Sequence, residues 1–298
     1  MVKAKVKVIA AMLIFGTIGL FVKNIDLTSS EIALYRGFFG SLFLILVLGL
    51  KKERLSWEKS KKNAGVLFYS GAAIGLNWIL LFEAYRYTTI SNATLSYYMA
   101  PLFVVLASPF ILKEKLTALK TGCVFLALMG MYLIVEKGGM NGLGYNHTLG
   151  IAYGIGAALL YASVILATKF LKNMASLEIT IIQLMAASLV LAPYVFLKEG
   201  MNILSISMSS FVYLLLLGIV HTGIAYALYF SAMQNLKGQT IAILSYIDPI
   251  SAVILSTLFL NERMTIAQII GGFFILSAAF LSESGAVEKI RIARSLRK

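Results

Sequence analysis

Cysteine, histidine and charged residues are all scarce in this chain of 298 residues. The single cysteine, Cys123, excludes an intrachain disulfide and a cysteine-based zinc cluster. Charged residues make up 13% of the chain, against about 25% in a typical soluble domain. Apolar residues make up 59%, and the mean hydropathy is +0.87. This composition is typical of a protein that folds in a membrane rather than in water.

Sequence motifs for enzymatic chemistry are also missing. The chain has no G-x-x-x-x-G-K-[ST] phosphate-binding loop, so it carries no ATPase of its own. It has no H-E-x-x-H zinc motif and no convincing Ser/His or Cys/His pair for nucleophilic catalysis. We therefore predict that the protein is not an enzyme, and we expect no cofactor and no metal.

Long apolar runs fill nearly the whole chain. A helix that crosses a bilayer needs about 20 mainly apolar residues. Ten runs meet this requirement: 6–23, 31–50, 64–87, 91–112, 119–136, 148–168, 177–197, 210–234, 239–260 and 267–284. Because backbone polar groups in lipid must pair within their own segment, we predict an all-α integral membrane fold with ten transmembrane helices. The first run lacks a clear cleavage site, so we expect it to be retained as a span.

Lysine and arginine are distributed unevenly between the two ends of these spans. If the N-terminus is cytoplasmic, 20 of the 26 basic residues fall in cytoplasmic segments and only 5 in outer segments. This asymmetry predicts that both termini are cytoplasmic in a multi-pass protein of the plasma membrane. The net charge of +13 is then a consequence of topology, and we expect no nucleic-acid partner.

Two segments of the chain, 96–117 and 244–265, carry the same pattern 148 positions apart. Their ungapped alignment has seven identities: Tyr98/Tyr246, Pro101/Pro249, Val105/Val253, Ser108/Ser256, Leu112/Leu260, Glu114/Glu262 and Thr117/Thr265. The similarity continues upstream, where residues 15–23 align with 161–169 and both segments end in lysine. Such self-similarity at a fixed offset indicates an internal duplication.

The duplication divides the chain into a first repeat (1–140), a second repeat (141–285) and a basic cytoplasmic tail (286–298). Each repeat holds five predicted helices, which is an odd number, so the second repeat enters the membrane from the opposite side. Inverted halves meet near the midplane, and exchanging their conformations opens that interface to each side in turn. The duplication therefore predicts a transporter that works by alternating access.

The chain resembles the EamA family of the drug/metabolite transporter superfamily in three features. These are the ten spans, the two five-helix halves, and the recurrent proline followed by Glu-Lys/Arg-apolar-Thr. The run LLFEAYRYTTISNATLSYYMAPLFVVL also resembles the hairpin between that family's third and fourth spans. The resemblance covers essentially the whole chain. It implies secondary transport of a small organic metabolite, with an amino acid or related amine as the favoured cargo and export as the favoured direction.

Other functions remain open at this point. Within transport, the alternative is uptake of a planar vitamin or a nucleobase-like solute. Outside transport there are two alternatives. One is a lipid scramblase, which requires a hydrophilic groove open to lipid, and the other is a non-transporting membrane subunit. As partners we expect a small-molecule substrate and membrane lipids, with a proton or a cation as the coupling ion and a monomer or homodimer as the assembly.

Charged side chains inside predicted spans are candidates for function, because each costs about 2.5–3.5 kcal/mol near the bilayer centre. Asp248 has an uncharged repeat counterpart, Ala100, which favours a one-sided role in proton or cation coupling or in contact with a cationic substrate group. The alternative is an aspartate hydrogen-bonded to the interrupted helix. Arg36 and Glu83 lie at similar depths, so we expect them to pair or to share an outer vestibule, unless both reach the membrane interface.

Prolines and polar residues mark further candidate positions. Pro101 and Pro249 interrupt spans 4 and 9 at matched depth, which predicts a hinge or a static kink at each. Asn77 and His221 are polar groups near the midplane, where they contact substrate or join neighbouring helices.

Aromatic side chains occupy matched faces of spans 3 and 8. They form a predicted substrate cavity together with the rings beside the prolines: Trp78, Tyr85, Tyr98, Tyr226, Tyr229 and Tyr246. Such a cavity suits planar or cationic solutes, whereas ordinary aromatic packing is the alternative.

Helix caps are predicted at three positions, Ser30, Thr117 and Thr265. Glu114 and Glu262 lie in the turns before the last two caps, close to the positive end of the following helix. We therefore predict a structural role for both glutamates.

Overall fold

The computed structural model of the chain describes residues 2–52, 55–113, 116–138, 146–171, 173–200, 202–233, 236 and 244–283. Glu114, the boundary between the two predicted repeats and the basic tail lie outside the described residues. Helices and short connections account for the described part of the chain.

The helices are numbered here in chain order. Residues 2–138 form α1 (Val2–Gly16), α2 (Ile18–Val22), α3 (Ser29–Leu50), α4 (Trp57–Lys62), α5 (Ala64–Tyr87), α6 (Ile90–Tyr97), α7 (Ala100–Ile111) and α8 (Ala118–Gly138). Residues 147–283 include α9 (His147–Thr168), α10 (Ser176–Tyr194), α11 (Met208–Leu216), α12 (Ala225–Met233), α13 (Ile247–Leu260) and α14 (Ile266–Glu283). Two π-helical segments, π1 (Val195–Glu199) and π2 (Leu217–Ile224), continue α10 and α11, and a 3-10 turn covers Asn202–Leu204.

Seven helical segments in the described part of the chain are long and apolar enough to cross a membrane. They are Val2–Val22, Ser29–Leu50, Ala64–Tyr87, Ile90–Ile111, His147–Thr168, Ser176–Glu199 and Met208–Tyr229. Three further apolar helices are shorter: Ala118–Ile134, Ile247–Leu260 and Ile266–Leu281. The all-α membrane fold is therefore confirmed, while three of the ten predicted spans correspond to these shorter helices.

Several spans are interrupted near their middle. Span 1 breaks between α1 and α2, where the Thr17 hydroxyl donates to Ile14 O at 2.7 Å. Span 4 breaks between α6 and α7, and Pro101 is the second residue of α7. Pro249 is the third residue of α13. A proline in the first turn of a helix lacks only an N–H that would have no partner within that helix, so both prolines fit at the start of a new segment. Hinge motion at these breaks stays a prediction.

The N-caps agree with the sequence in part. Thr117 and Thr265 cap their helices as predicted, because Lys120 N and Gln268 N donate to the two hydroxyls at 3.3 and 3.2 Å. The cap predicted at Ser30 is wrong. The cap of α3 is Thr28, whose side chain and that of Glu31 form a reciprocal capping box.

The packing of the helices follows the two-repeat pattern. Helix α1 packs on α12 and α13, and its counterpart in the second repeat, α9, packs on α5 and α7. Likewise α3 packs on π2, and its counterpart α10 packs on α5. Each of these helix contacts therefore has an equivalent contact between the corresponding helices of the two predicted repeats.

Helix α3 and its predicted counterpart α10 run in opposite directions. At the start of α3, the Ser30 hydroxyl donates to Glu199 at the end of π1, with an O–O distance of 2.6 Å. Beyond the end of α3, Ser56 N donates to Glu178 in the first turn of α10 at 2.6 Å. Because the start of each helix meets the end of the other, α3 and α10 are antiparallel.

Close contact between α8 and α14 predicts a steric effect on stability. A Cβ added at Gly130 would lie 2.5 Å from the carbonyl oxygen of Gly271, so Gly130→Ala forces the two backbones apart. We expect a loss of about 1–3 kcal/mol, measured as a lower thermal unfolding temperature in detergent. Gly122→Ala, on the same helix, meets nothing within 4 Å and is the matched control. Equal unfolding temperatures for the two variants would contradict this packing.

Candidate functional site

Arg36 lies at the centre of the contact between α3, α5 and π2. It is only 3% exposed, and its Nε donates a hydrogen bond to Thr222 Oγ1 at 2.8 Å. The guanidinium carbon lies 4.3 Å from the ring centroid of Trp78 and 5.8 Å from that of Phe82. The faces of these rings attract a cation electrostatically. Two of the predicted site residues, Arg36 and Trp78, are thus in direct contact.

The π2 segment supplies polar side chains to this region. The hydroxyl of Thr222, which accepts the bond from the arginine, donates to Leu217 O at 3.1 Å. His221 contacts Leu216 O through Nδ1 at 3.1 Å and the Thr17 hydroxyl through Nε2 at 2.8 Å. His221 therefore connects π2 to the break in span 1, and both of its ring nitrogens already have protein partners. This arrangement favours a role in joining helices over direct contact with substrate.

Asp248 lies in the first turn of α13, beside Pro249. Its Oδ2 accepts a hydrogen bond from the Tyr98 hydroxyl at 2.9 Å. Tyr98 directly follows α6, so this bond joins the interrupted parts of spans 4 and 9. The rings of Tyr98 and Tyr246 lie 6.2 Å apart, measured between centroids. The structure thus places Tyr98, Tyr246 and Asp248 together.

Arg36 and Asp248 lie close enough to interact electrostatically. The guanidinium is within electrostatic range of Asp248 and of three tyrosine hydroxyls, those of Tyr85, Tyr97 and Tyr226. Among the described residues, no ion pair joins the arginine to the aspartate. Tyr97, Tyr226 and Asp248 are half-buried and not fully enclosed. Arg36, Asp248 and these tyrosines therefore form a partly buried cluster that holds both a positive and a negative charge, which we call the charged crevice.

Asn77, which lies next to Tyr97, and Tyr229 make further contacts with neighbouring helices. Asn77 is 1% exposed, and its Nδ2 donates to Ala157 O at 2.6 Å, which joins α5 to α9. Tyr229 packs with the apolar cluster that α12 forms on α1, together with Val8 and Met12. Substrate contact by these two residues stays a prediction, and the contacts of Asn77 favour a structural role.

Glu83 contacts Arg86 and not Arg36, so the predicted pairing of Glu83 with Arg36 is not seen, while a shared outer vestibule stays a prediction. Glu83 forms a loose contact with Arg86, one turn further along α5, with 3.9 Å between Oε1 and the η nitrogen. Both side chains are partly exposed, at 24% and 45%. From their positions along spans 2 and 3, Arg36 and Glu83 were expected at the same depth in the membrane. The two side chains nevertheless point in different directions around their helices. An exposed pair of this kind contributes about 0–1 kcal/mol.

A buried ion pair joins the two repeats at the end of the molecule that is predicted to lie outside. Lys23 Nζ lies 2.8 Å from Glu262 Oε1. Glu262 is only 3% exposed, and its carboxylate also accepts a hydrogen bond from Ile90 N, at 2.9 Å to Oε2. Next to it, the hydroxyls of Ser91 and Ser256 lie 3.0 Å apart. We call the contact of Lys23, Glu262 and Ile90 N the outer ion pair.

The outer ion pair was missed by the sequence reasoning. Glu262 was expected to stabilise the helix that follows it, whereas it stabilises the positive end of α6 in the other repeat. The internal duplication contained the signal, because it aligns Lys23 with Lys169 and Glu262 with Glu114. Each repeat carries both a lysine and a glutamate at these aligned positions. Their presence in both repeats indicated that a lysine of one repeat pairs with a glutamate of the other.

The interrupted helices, the antiparallel repeats and the charged interior define a multi-pass membrane protein of the transporter class. The chain matches the EamA-like transporter family over residues 3–136 and 148–283, and it belongs to that family.

Similar proteins support this class. An uncharacterized transporter of Bacillus subtilis, YxxF, is 28% identical over 279 residues, covering 94% of this chain and 89% of the relative. An uncharacterized inner membrane transporter of Salmonella typhimurium, YicL, is 23% identical and covers 98% of both chains. A crystal structure of a protein with 20% identity matches with a TM-score of 0.63, covering 94% of this chain and 97% of that one. That likeness shows the fold alone.

Proposed function

We propose that the protein is a secondary active transporter of the plasma membrane that moves a small organic metabolite by alternating access. An amino acid or related amine is the favoured cargo, and export is the favoured direction. The observation that supports this proposal is the charged crevice, in which the buried Arg36 lies against the ring of Trp78 and within electrostatic range of the half-buried Asp248. Charges so deep in a membrane protein mark the path of a solute or an ion.

The proposed architecture is ten spans in two inverted halves, residues 1–140 and 141–285, with both termini and the basic tail 286–298 in the cytoplasm. The antiparallel course of α3 and α10 supports the inversion, because inverted repeats place corresponding helices in opposite directions. The interrupted spans 4 and 9, with Pro101 and Pro249 at their breaks, are the proposed hinges.

Asp248 is the proposed coupling residue. Its carboxylate accepts a hydrogen bond from the Tyr98 hydroxyl, the one donor to it among the described residues, and Asp248 is half-buried. A proton and the cationic group of a solute would compete for this one carboxylate. A proton bound from outside then displaces the solute, and the release of that proton inside frees the carboxylate for the next solute. Such an exchange drives export by the inward proton gradient.

The outer ion pair supports alternating access. It ties Lys23 of the first repeat to Glu262 of the second and to the start of α6, next to the break in span 4. A contact that is buried when the outer end is closed has to break when that end opens.

The surface of the bundle gives little support to a lipid scramblase. A groove of about 450 Å³ lies between α5, α7 and α9, and its lining includes exposed side chains such as Ile111 and Phe170. Of its twelve lining residues only Tyr69 and Ser163 carry a hydroxyl. A scramblase needs a hydrophilic groove that binds lipid headgroups. This groove is apolar and therefore does not suit lipid headgroups.

Flux through proteoliposomes tests the proposed function. Purified protein in liposomes is given labelled amino acids, amines, vitamins and nucleobases one at a time, with and without a proton gradient. We expect saturable flux of an amino acid or amine that the proton gradient accelerates. Fluorescent-lipid exchange in the same liposomes serves as the scramblase arm. Lipid exchange without solute flux, or no saturable flux of any solute, would contradict the proposal.

A further inference from the structure

The positive charge of Arg36 has no carboxylate partner among the described residues. Within the described part of the chain, its Nε donates a hydrogen bond to the neutral hydroxyl of Thr222, and its guanidinium lies near the rings of Trp78 and Phe82. The ring faces and the hydroxyl stabilise the cation, but none of them neutralises it. The terminal η nitrogens, which carry four of the five N–H donors, have no hydrogen-bond acceptor among the described residues.

An uncompensated charge at this depth is costly for the fold. Arg36 is 97% buried, and a buried ion without a partner costs several kcal/mol even after the structure relaxes. An apolar residue of similar size would fill the same space without that cost. A guanidinium retained here therefore indicates an anionic ligand that completes its coordination when the site is occupied.

The shape of the site indicates the chemical class of that ligand. A guanidinium presents a planar fork of donors that matches a carboxylate in two parallel hydrogen bonds. Asp248 provides the opposite charge in the same crevice, held by Tyr98 and not paired with Arg36. The ring of Trp78, whose centroid lies 4.3 Å from the guanidinium carbon, supplies apolar surface beside the arginine. A solute with a carboxylate, an ammonium group and an apolar side chain fits all of these features.

We propose that Arg36 binds the carboxylate of the transported solute, so that the substrate is a zwitterionic amino acid and not the corresponding amine. This inference rests on the proposed transport function and narrows its substrate class. It also gives Arg36 a role in specificity, whereas Asp248 meets the ammonium group and the proton. A solute without a carboxylate leaves the N–H donors of the buried Arg36 guanidinium without an acceptor. The protein therefore binds such a solute more weakly.

The first test compares matched solutes on the unmodified protein. Phenylalanine and phenethylamine differ only in the carboxylate, as do leucine and 3-methylbutylamine. In proteoliposomes we expect saturable uptake of at least one of the two acids, and at least about tenfold weaker competition by its amine. Equal transport of acid and amine would overturn the inference while leaving the transporter proposal intact. No saturable flux of any solute would instead overturn the proposed function.

The second test assigns the selectivity to Arg36. We expect Arg36→Gln to raise the KM for the amino acid at least about tenfold and to reduce the preference for the acid over the amine. Arg36→Lys retains a positive charge without the planar fork, so it gives an intermediate KM. Arg86→Gln, which removes the partly exposed arginine beside Glu83, is the control and leaves the preference unchanged.

Thermal unfolding of each variant separates a loss of binding from a loss of folding. A folded Arg36→Gln protein with the original acid-to-amine preference would overturn the assignment to Arg36. If Arg36→Gln and Arg36→Lys both fail to fold, the matched solutes on the unmodified protein still decide whether a carboxylate is required.

Discussion

Asp248→Asn is expected to abolish proton-driven transport while leaving the protein folded. The asparagine side chain has nearly the same shape, and its Oδ1 can still accept the hydrogen bond that Tyr98 donates at 2.9 Å. It cannot bind and release a proton, so solute movement loses its connection to the proton gradient. We expect the gradient-driven rate to fall at least about tenfold, which corresponds to about 1.4 kcal/mol. Initial rates in proteoliposomes with an imposed pH gradient measure this effect.

The pH dependence of transport is the more specific readout for Asp248. In the unmodified protein the rate should change with pH on the side from which the proton binds, and in Asp248→Asn the profile should be flat. Tyr98→Phe is the matched control, because it removes the hydrogen bond but keeps the carboxylate, so its pH dependence should persist. If Asp248→Asn retains both the rate and the pH profile, Asp248 is not the coupling residue.

Glu262→Gln is expected to open the outer end of the protein. The change removes the negative charge that lies 2.8 Å from Lys23 Nζ, and the Lys23 side chain is 17% exposed. Loss of one partner from a fully buried pair costs about 3–5 kcal/mol, and the partial exposure of Lys23 places this effect toward the lower value. An energy of that size is enough to shift a two-state equilibrium by about two orders of magnitude. The population that is open to the outside should therefore increase.

Cysteine labelling measures this opening. Ser91 is fully buried beside the outer ion pair, so Ser91→Cys in a Cys123→Ser background gives a single reporter thiol. We expect a membrane-impermeant maleimide to label this thiol at least about tenfold faster when Glu262→Gln is added. Glu83→Gln breaks an exposed ion pair on the same predicted side and should leave labelling unchanged. Equal labelling with and without Glu262→Gln would show that the outer ion pair does not hold this end closed.

Helix positions were the part of the fold that the sequence predicted best. The third span was expected at 64–87 and is the helix Ala64–Tyr87, and the second was expected at 31–50 and is Ser29–Leu50. The physical reason is that a bilayer requires a continuous apolar segment, and hydropathy records that requirement residue by residue. The internal breaks were harder to predict. The prolines indicated two of them, but the π2 segment has no such local signal.

The sequence identified several residues of the candidate site, but it did not identify which of these residues contact one another. Arg36, Trp78 and Asp248 were expected to be functional because charged and aromatic residues are unusual inside spans, and Arg36 lies against Trp78 and within electrostatic range of Asp248. Arg36 was nevertheless given the wrong partner. Depth along a helix is readable from residue number, whereas the direction of a side chain around the helix depends on which neighbours the helix packs against. Glu83 consequently turns toward Arg86.

The sequence by itself determined that the chain spans a membrane, that it is duplicated and that it contains charges needing an explanation. These properties follow from composition and from a fixed offset, which do not depend on how helices are arranged. Only the tertiary structure decided which residues meet across the two repeats, including Lys23 with Glu262 and Tyr98 with Asp248. Such contacts join positions more than a hundred residues apart, so they exist only once the helices have packed against one another.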